Sequence, residues 1–339
     1  MTPDKGMPWS GERTQAVRSS LARIVSVCAD KNIDLLLISG NLFGGQPSYS
    51  QCEEANGLFA SIPATKVFII SGDMDHLTPS SAVRTYEWSD NVIWFTGAEP
   101  ETAEAGGDIV VHGLSCSTSV IKEGLPEEYR VPDDGKIHIL LMCAARPSQL
   151  TAEGESYVRA GFTYAALGHS HTFISTAGGA AVCSGSPEPL GPEDTGTHGY
   201  CQGEISQGRL TGAALIPLSQ VRYVNLTVHM TPATTADEIY RSLGYEMERR
   251  GKNNIYSISL KGLRDPAVEF RADELKDRFR ISSVADESEP KYDLADLFRK
   301  HPSDMIGFFI KEMNVPDASP VDRKALYYGI DALLHTAGE

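Results

Sequence analysis

The amino-acid sequence predicts a layered α/β fold with mixed sheets. Through the first half of the 339 residues, short apolar runs alternate with segments of helical periodicity, as in sheets covered by helices. The stretch that follows is punctuated by glycine and is typical of antiparallel hairpins. A strand–helix–strand pattern then begins again. We therefore expect a large α/β domain at 1–218, a small β-α-β domain at 219–285 and a helical region at 286–339.

The first half supplies the helices and buried strands of the large domain. Apolar side chains recur at helical spacing in residues 13–32, so one face of this helix is expected to lie on a sheet. The run DLLLISG, residues 34–40, is almost continuously apolar and indicates a strand covered on both faces. A second helix is expected at 50–62. Further buried strands are predicted at 65–72, 91–97, 108–115 and 136–144.

The second half begins with a predicted helix and strand, followed by a histidine-bearing loop, within residues 148–173. Glycine-rich antiparallel strands are expected at 180–191, 198–205 and 208–218. The small domain should consist of a strand at 222–230, a helix at 234–251 that opens with threonine and acidic residues, and a strand at 253–262. The polar stretch 282–290 reads as a linker. Two tail helices are expected, one at 293–314, interrupted at Pro302, and one at 320–337.

Composition and charge exclude several functional classes. No apolar run approaches the roughly 18 residues that span a bilayer, and residues 1–15 lack the apolar core of a secretory signal. We therefore expect a cytoplasmic protein that does not engage a membrane. The six cysteines are scattered, without a CxxC pair, and are expected to be reduced thiols. Residues 1–218 carry 13 Lys/Arg against 25 Asp/Glu, a balance of −12, which weakens binding to nucleic-acid phosphates.

Polar clusters follow four predicted strands, at 39–45, 71–76, 140–145 and 167–171. His169 and His171 stand two residues apart and can turn toward one point, which suits metal ligation as well as a structural role. Asp73 and Asp75 follow Gly72 and are candidates either for ligands or for turn formers. Cys143 is a candidate ligand or a small buried apolar residue.

The order and spacing of these clusters resemble the calcineurin-like metallophosphoesterases, and in particular the SbcD-type exonuclease subunit of DNA repair. The resemblance rests on DLLLISGNLFGG, IPATKVFIISGDMDHL, FTYAALGHSHT and, most specifically, CSGSPEPLGPEDTGTHGY. It implies a sandwich of two mixed β-sheets flanked by helices, a small α+β capping domain and C-terminal helices. It also implies a hydrolase that uses two Mn- or Fe-type ions to cleave phosphodiesters, and an SbcC-like ATPase as partner.

Several positions depart from the pattern of that family. The family's bridging aspartate corresponds to Asn41, its ligand asparagine to Asp73, its catalytic histidine to Met74 and an isolated ligand histidine to Cys143. A later aspartate in the family block that contains position 41 is replaced by Gly44. The N-terminal Asp-x-His motif is absent, so that either the start lies upstream or the fold has adapted. The resemblance retains the histidines at 169 and 171 and the carboxylate at 75.

These departures predict a pseudoenzyme that keeps the fold and loses the two-metal reaction. The leading expectation is a scaffold that binds an SbcC-like ATPase through apolar pairs in the tail, Phe308/Phe309, Tyr327/Tyr328 and Leu333/Leu334. These pairs could instead pack on their own domain. One alternative is an active phosphodiesterase or DNA nuclease with rewired ligands. Another is a structural module with one Zn²⁺ or Mn²⁺. The candidate ligands are Asn41, Asp73, Cys143, His169 and His171. Nucleic-acid binding and a homodimer remain open.

Overall fold

In the computed structural model the chain is a mixed α/β protein with several sheets. The described residues are 3–97, 99–121, 124–126, 128–143, 150–206, 208–268, 270–314, 317 and 319–336. The last positions of the predicted strand 136–144 and of the cluster at 140–145 therefore lie outside them, as do the first two residues of the helix predicted from 148. The chain divides into two compact units, Met1–Arg222 and Tyr223–Glu339.

A three-stranded parallel sheet and two helices form the first layers of the N-terminal unit. The elements are α1 (Ser10–Lys31), β1 (Leu35–Ser39), α2 (Tyr49–Ala60), β2 (Lys66–Ile70) and β3 (Val92–Phe95), in strand order β1-β2-β3. Alternate side chains of β1 pack toward the two helices and toward the opposite face. Both faces of β1 are thus covered, as its apolar run predicts, while its position at the sheet edge leaves it half-buried.

A six-stranded mixed sheet lies against this parallel sheet. Its order is β4-β5-β6-β7-β9-β8. The elements are β4 (Glu101–Gly106), β5 (Ile109–Leu114), β6 (Ile137–Cys143), α3 (Leu150–Arg159), β7 (Tyr164–Gly168), β8 (Ile174–Thr176) and β9 (Ala181–Cys183). Phe68 and Ile70 of β2 share a core with Ile139 and Leu141 of β6, so the two sheets form a sandwich. The antiparallel hairpin β10 (Gly199–Ser206) and β11 (Arg209–Pro217) follows, as the glycine pattern predicts.

The C-terminal unit contains a parallel sheet in the order β12-β13-β14. Its elements are β12 (Tyr223–Met230), α4 (Ala236–Arg250), β13 (Ile255–Arg264), α5 (Asp273–Lys276) and β14 (Arg280–Pro290). The threonine start of α4 is a capping box between Thr235 and Glu238. The prediction of a linker at 282–290 is wrong, because this stretch is strand β14. Its five consecutive residues 283–287 are exposed at the edge of the sheet, where polar residues are compatible with pairing on one side only.

Three helices end the described chain: α6 (Leu294–Lys300), α7 (Met305–Met313) and α8 (Pro320–Thr336). The interruption at Pro302 is confirmed, because it separates α6 from α7. Phe309, Leu333 and Leu334 pack into the tail's own apolar cluster, whereas Phe308 and Tyr328 are more than half exposed. In the described part of the chain, no helix combines the length and the apolar content that crossing a bilayer requires.

A buried ion pair fastens the N-terminal helix to the segment between β9 and β10. The Arg13 guanidinium donates to the carboxylate of Glu188 at 2.9 Å and to the Pro189 carbonyl at 2.7 Å. Arg23 and Ser219 also donate to Glu188, at 3.0 and 2.7 Å. The side chains of Arg13 and Glu188 are only 1% and 3% exposed. The SPEPL run therefore carries a structural carboxylate.

Replacing Glu188 by alanine should lower the free energy of unfolding by about 3–5 kcal/mol, because it leaves the buried Arg13 charge without its partner. Urea denaturation of the purified chain measures this change. The matched control is Glu193→Ala, which removes an exposed carboxylate five residues away and should have little effect. Equal stability of the two variants would contradict the assignment.

A hydrogen-bonded chain of four side chains, of which the two histidines are buried, crosses β5 and β6. His112 bonds to the Tyr129 hydroxyl at 2.9 Å and to His138 at 2.8 Å, and His138 bonds to Asp134 at 3.0 Å. Burial, followed by the neighbouring His138, lowers the pKa of His112 from its ordinary value of 6.5 to about 4. His112 is therefore neutral in the folded protein at physiological pH.

Between about pH 4 and 6.5 the unfolded chain binds a proton at His112 and the folded chain does not. The free energy of unfolding should therefore rise with pH across this range. The contribution of His112 is complete above pH 6.5 and is lost as the pH falls toward 4. It should amount to on the order of 2 kcal/mol. Urea unfolding at several pH values should give a flatter profile for His112→Asn than for the exposed-site control His229→Asn. An unchanged slope would contradict this account.

Candidate metal centre

Three side chains at neighbouring strand ends converge on one point. Asp73 lies in the loop after β2, Cys143 is the last residue of β6, and His169 follows β7 directly. One ligand atom from each lies within 4.8 Å of the others. Parallel strands deliver their C-terminal residues to one edge of a sheet, and here the edges of the two packed sheets lie together, so residues far apart in sequence meet.

The buried carboxylate of Asp75 holds two of the loops that form this edge. Its Oδ1 accepts from the backbone N–H groups of Gly72, at 2.7 Å, and Asn41, at 3.2 Å, while Oδ2 accepts from Phe43 at 3.1 Å. Burial raises the pKa of Asp75, and these N–H donors oppose that rise by stabilising the charged form. Asp75 thus joins the loop after β1 to the loop after β2.

The two loops approach so closely that glycine is required between them. Gly40 has a φ of +99°, and a Cβ built on it would lie 2.8 Å from the Cα of Gly72. Asn41 follows in the left-handed region, with a φ of +55°. This backbone arrangement brings the amide of Asn41 over the second loop.

Asn41 uses both ends of its amide within the site. Its Nδ2 donates to Oδ1 of Asp73 at 2.9 Å, and its Oδ1 accepts from the backbone N–H of Met74 at 2.9 Å. A carboxylate at this position would repel Asp73, whereas the amide bridges it. Asn41 therefore holds Asp73 in place in this structure, although the sequence made it a candidate ligand.

Asp73 is the acidic member of the triad. Its Oδ1 lies 3.3 Å from Nδ1 of His169. Although burial opposes the charge, the hydrogen bond from Asn41 and the nearby imidazole together lower the pKa of Asp73. A carboxylate and an imidazole are thus available side by side. The side chain of His169 is 36% exposed, so solvent reaches this side of the triad.

His171 lies outside the triad of donors within 4.8 Å. Its Nδ1 is 3.0 Å from both carboxylate oxygens of Asp194, which also accepts from the backbone N–H of Leu190 at 2.7 Å. The hydrogen bond to Asp194 raises the pKa of His171. A carboxylate on one ring nitrogen is the usual support for a histidine that ligates metal through the other. Nε2 of His171 is therefore the atom that remains for a ligand.

Cys143 supplies the sulfur of the site and is 5% exposed. The thiol of Cys116, which follows β5, is its neighbour; this neighbour and burial raise the pKa of Cys143. A bound cation would displace the thiol proton, because metals bind the thiolate. Sequence reasoning did not identify Cys116 or Asp194 as candidates. A polar residue just past a buried strand is a signal that applies to Cys116, whereas Asp194 is recognisable only in three dimensions.

Met74 and His76 complete the loop after β2. The thioether of Met74 is 45% exposed and carries no titratable proton. The His76 ring turns back onto its own loop, with Nδ1 2.9 Å from the carbonyl oxygen of Asp73. The loop therefore presents a methionine, which cannot transfer a proton, to solvent.

The donor set of the described residues is compatible with one cation. Asp73, Cys143 and His169 provide one oxygen, one sulfur and one nitrogen around a single point. A second ion nearby would need a bridging carboxylate to offset its charge. The described residues place the amide of Asn41 beside Asp73 instead.

In comparison with known proteins, neither a protein-family model nor a curated protein matches the chain.

Replacing Asp75 by asparagine should destabilise the chain by about 1–3 kcal/mol, because an amide offers one acceptor oxygen and presents an NH₂ group to backbone donors. Thermal and urea unfolding measure the effect. Asp108→Asn, at an exposed turn, is the control and should be neutral. If the two variants were equally stable, Asp75 would not be the residue that holds the two loops.

Proposed function

We propose that this chain is an SbcD-type member of the calcineurin-like metallophosphoesterases that binds one zinc ion and has lost the two-metal reaction. The strand-end motifs and the SPEPL run support the family, and the sandwich of mixed sheets is compatible with it. The observation that carries the proposal is the convergence of Asp73, Cys143 and His169 within 4.8 Å.

The chemistry of the donors favours zinc. Thiolate, imidazole and carboxylate together suit Zn²⁺ in a four-coordinate site, whereas Mg²⁺ and Mn²⁺ prefer oxygen ligands. Nε2 of His171 is the candidate fourth donor, because Asp194 already occupies Nδ1. A bound zinc would supply positive charge and a Lewis acid at the open edge of the sheet. The chain's own contribution is to orient the donors through Asn41, Asp75 and Asp194.

Two features argue against two-metal hydrolysis. Asn41 is neutral and uses both ends of its amide in hydrogen bonds to Asp73 and Met74, so it cannot compensate the charge of two dications. Met74 cannot transfer a proton to a leaving oxygen. A positioned acid or base is typically worth about 10²–10⁴-fold in rate, and this contribution is missing at position 74. We therefore assign the chain a scaffold role, with an SbcC-like ATPase as the proposed partner.

The exposure of the site supports a second candidate function, a phosphodiesterase with a single metal ion. Structural zinc sites are closed by four protein ligands, whereas catalytic sites keep an open position. His169 and His171 are 36% and 44% exposed, so a water or a phosphate could reach a cation held by the triad. The two candidates share the metal and differ in turnover.

The purified chain should bind one zinc ion per molecule, measured by elemental analysis after dialysis and by titration against a chromogenic chelator. Cys143→Ala and His169→Ala should each weaken binding by about 100-fold or more, since each removes a ligand. Cys52→Ala and His229→Ala are the matched controls, at sites distant in sequence from the triad residues. Both should retain zinc binding. Loss of zinc in the controls, or its retention in both ligand variants, would contradict the proposed site.

The same samples decide between scaffold and enzyme. With Zn²⁺ or Mn²⁺ added, single-stranded DNA, double-stranded DNA and a generic phosphodiester should remain uncleaved. Metal-dependent cleavage that disappears in His169→Ala would overturn the scaffold assignment and establish the single-metal phosphodiesterase.

A further inference from the structure

Cys116 and Cys143 form a pair of thiols at the edge of the candidate metal centre. Their strands, β5 and β6, are parallel neighbours, with Leu114 opposite Met142 near their ends. Both side chains belong to one apolar cluster, in which the two thiols are neighbours. Both cysteines are free thiols in this structure. Neither the proposed metal site nor the candidate phosphodiesterase reaction requires Cys116.

The backbone around Cys116 fixes this pair against the loop that carries Asp73. The Cys116 N–H donates to the Ser71 carbonyl at 2.9 Å, and its own carbonyl accepts from the Leu77 N–H at 2.8 Å. Cys116 is half-buried, while Cys143 is buried. The half-buried Cys116 is therefore a neighbour of the cysteine that belongs to the triad.

We propose that Cys116 and Cys143 are an oxidisable dithiol, and that their disulfide switches off cation binding at the site. The second part rests on the proposed zinc site, because Cys143 in a disulfide has no thiolate to offer a metal. Hydrogen peroxide is the oxidant class, since a small neutral molecule can reach a half-buried sulfur.

The reaction balances in two steps. The Cys116 sulfur attacks one peroxide oxygen, and the O–O bond breaks. The departing hydroxide takes the thiol proton and leaves as water, while Cys116 becomes a sulfenic acid. The Cys143 sulfur then attacks the Cys116 sulfur, the S–O bond breaks, and the second hydroxide leaves as water with the Cys143 proton. Two thiols are oxidised to one disulfide, and one peroxide is reduced to two waters.

The test uses the full reduced chain, with and without one equivalent of zinc, treated with hydrogen peroxide. Remaining thiols are alkylated, and peptides are mapped by mass spectrometry without reduction. A Cys116–Cys143 cross-linked peptide is expected, reversed by dithiothreitol. In the zinc-loaded sample, a chromogenic chelator should register release of the metal as the cross-link forms. In Cys116→Ser, peroxide should produce no such cross-link, and zinc should be released at least about tenfold more slowly.

Each outcome bears on one part of the proposal. Cross-links elsewhere, or oxidation of Cys116 without a bridge to Cys143, would overturn the dithiol. A cross-link that forms while zinc stays bound would overturn the switch. If the reduced chain binds no zinc at all, the proposed metal site fails, and the peptide map of the metal-free sample still decides whether the dithiol exists.

Discussion

The carboxylate of Asp75 is the interaction on which the candidate centre depends. It is almost fully buried and accepts three backbone N–H bonds from two different loops. Burying a charge is costly unless it is hydrogen-bonded, so the arrangement persists only because the donors are complete. Once the loops after β1 and β2 are joined, Asn41 reaches Asp73, and Asp73 faces the ends of β6 and β7. The position of Asp73, the acidic candidate donor, therefore depends on that one buried group.

Some polar residues of this chain hold the backbone in place, whereas others present atoms that a metal ion could bind. Asp75 and Glu188 occupy buried positions and satisfy several donors each, so changing them would cost stability. Asp73, Cys143 and His169 instead present an oxygen, a sulfur and a nitrogen around one point. A donor set that includes sulfur favours a thiophilic ion over the oxygen-preferring Mg²⁺ and Mn²⁺.

Sequence reasoning recovers the regular elements where large apolar residues set the period. It identifies β2 and β6, and the capped start of α4, because buried strands and capping boxes have local signatures. It misses β4, whose inward positions are small alanines, and it misreads β14, a polar edge strand. The Asp194–His171 contact and the Cys116–Cys143 pair depend on the packing of distant segments, so no local pattern announces them. The role of Glu188 becomes visible only with Arg13 beside it.

Zinc K-edge X-ray absorption of the metal-loaded chain tests the central claim most directly. One sulfur at about 2.3 Å with nitrogen and oxygen ligands near 2.0–2.2 Å is expected, because Cys143 is the sulfur ligand among the triad. The sulfur shell should vanish in Cys143→Ala and persist in Cys52→Ala. A zinc environment of nitrogen and oxygen alone in the unsubstituted chain, or a metal–metal scattering path, would contradict a single-ion site built on Asp73, Cys143 and His169.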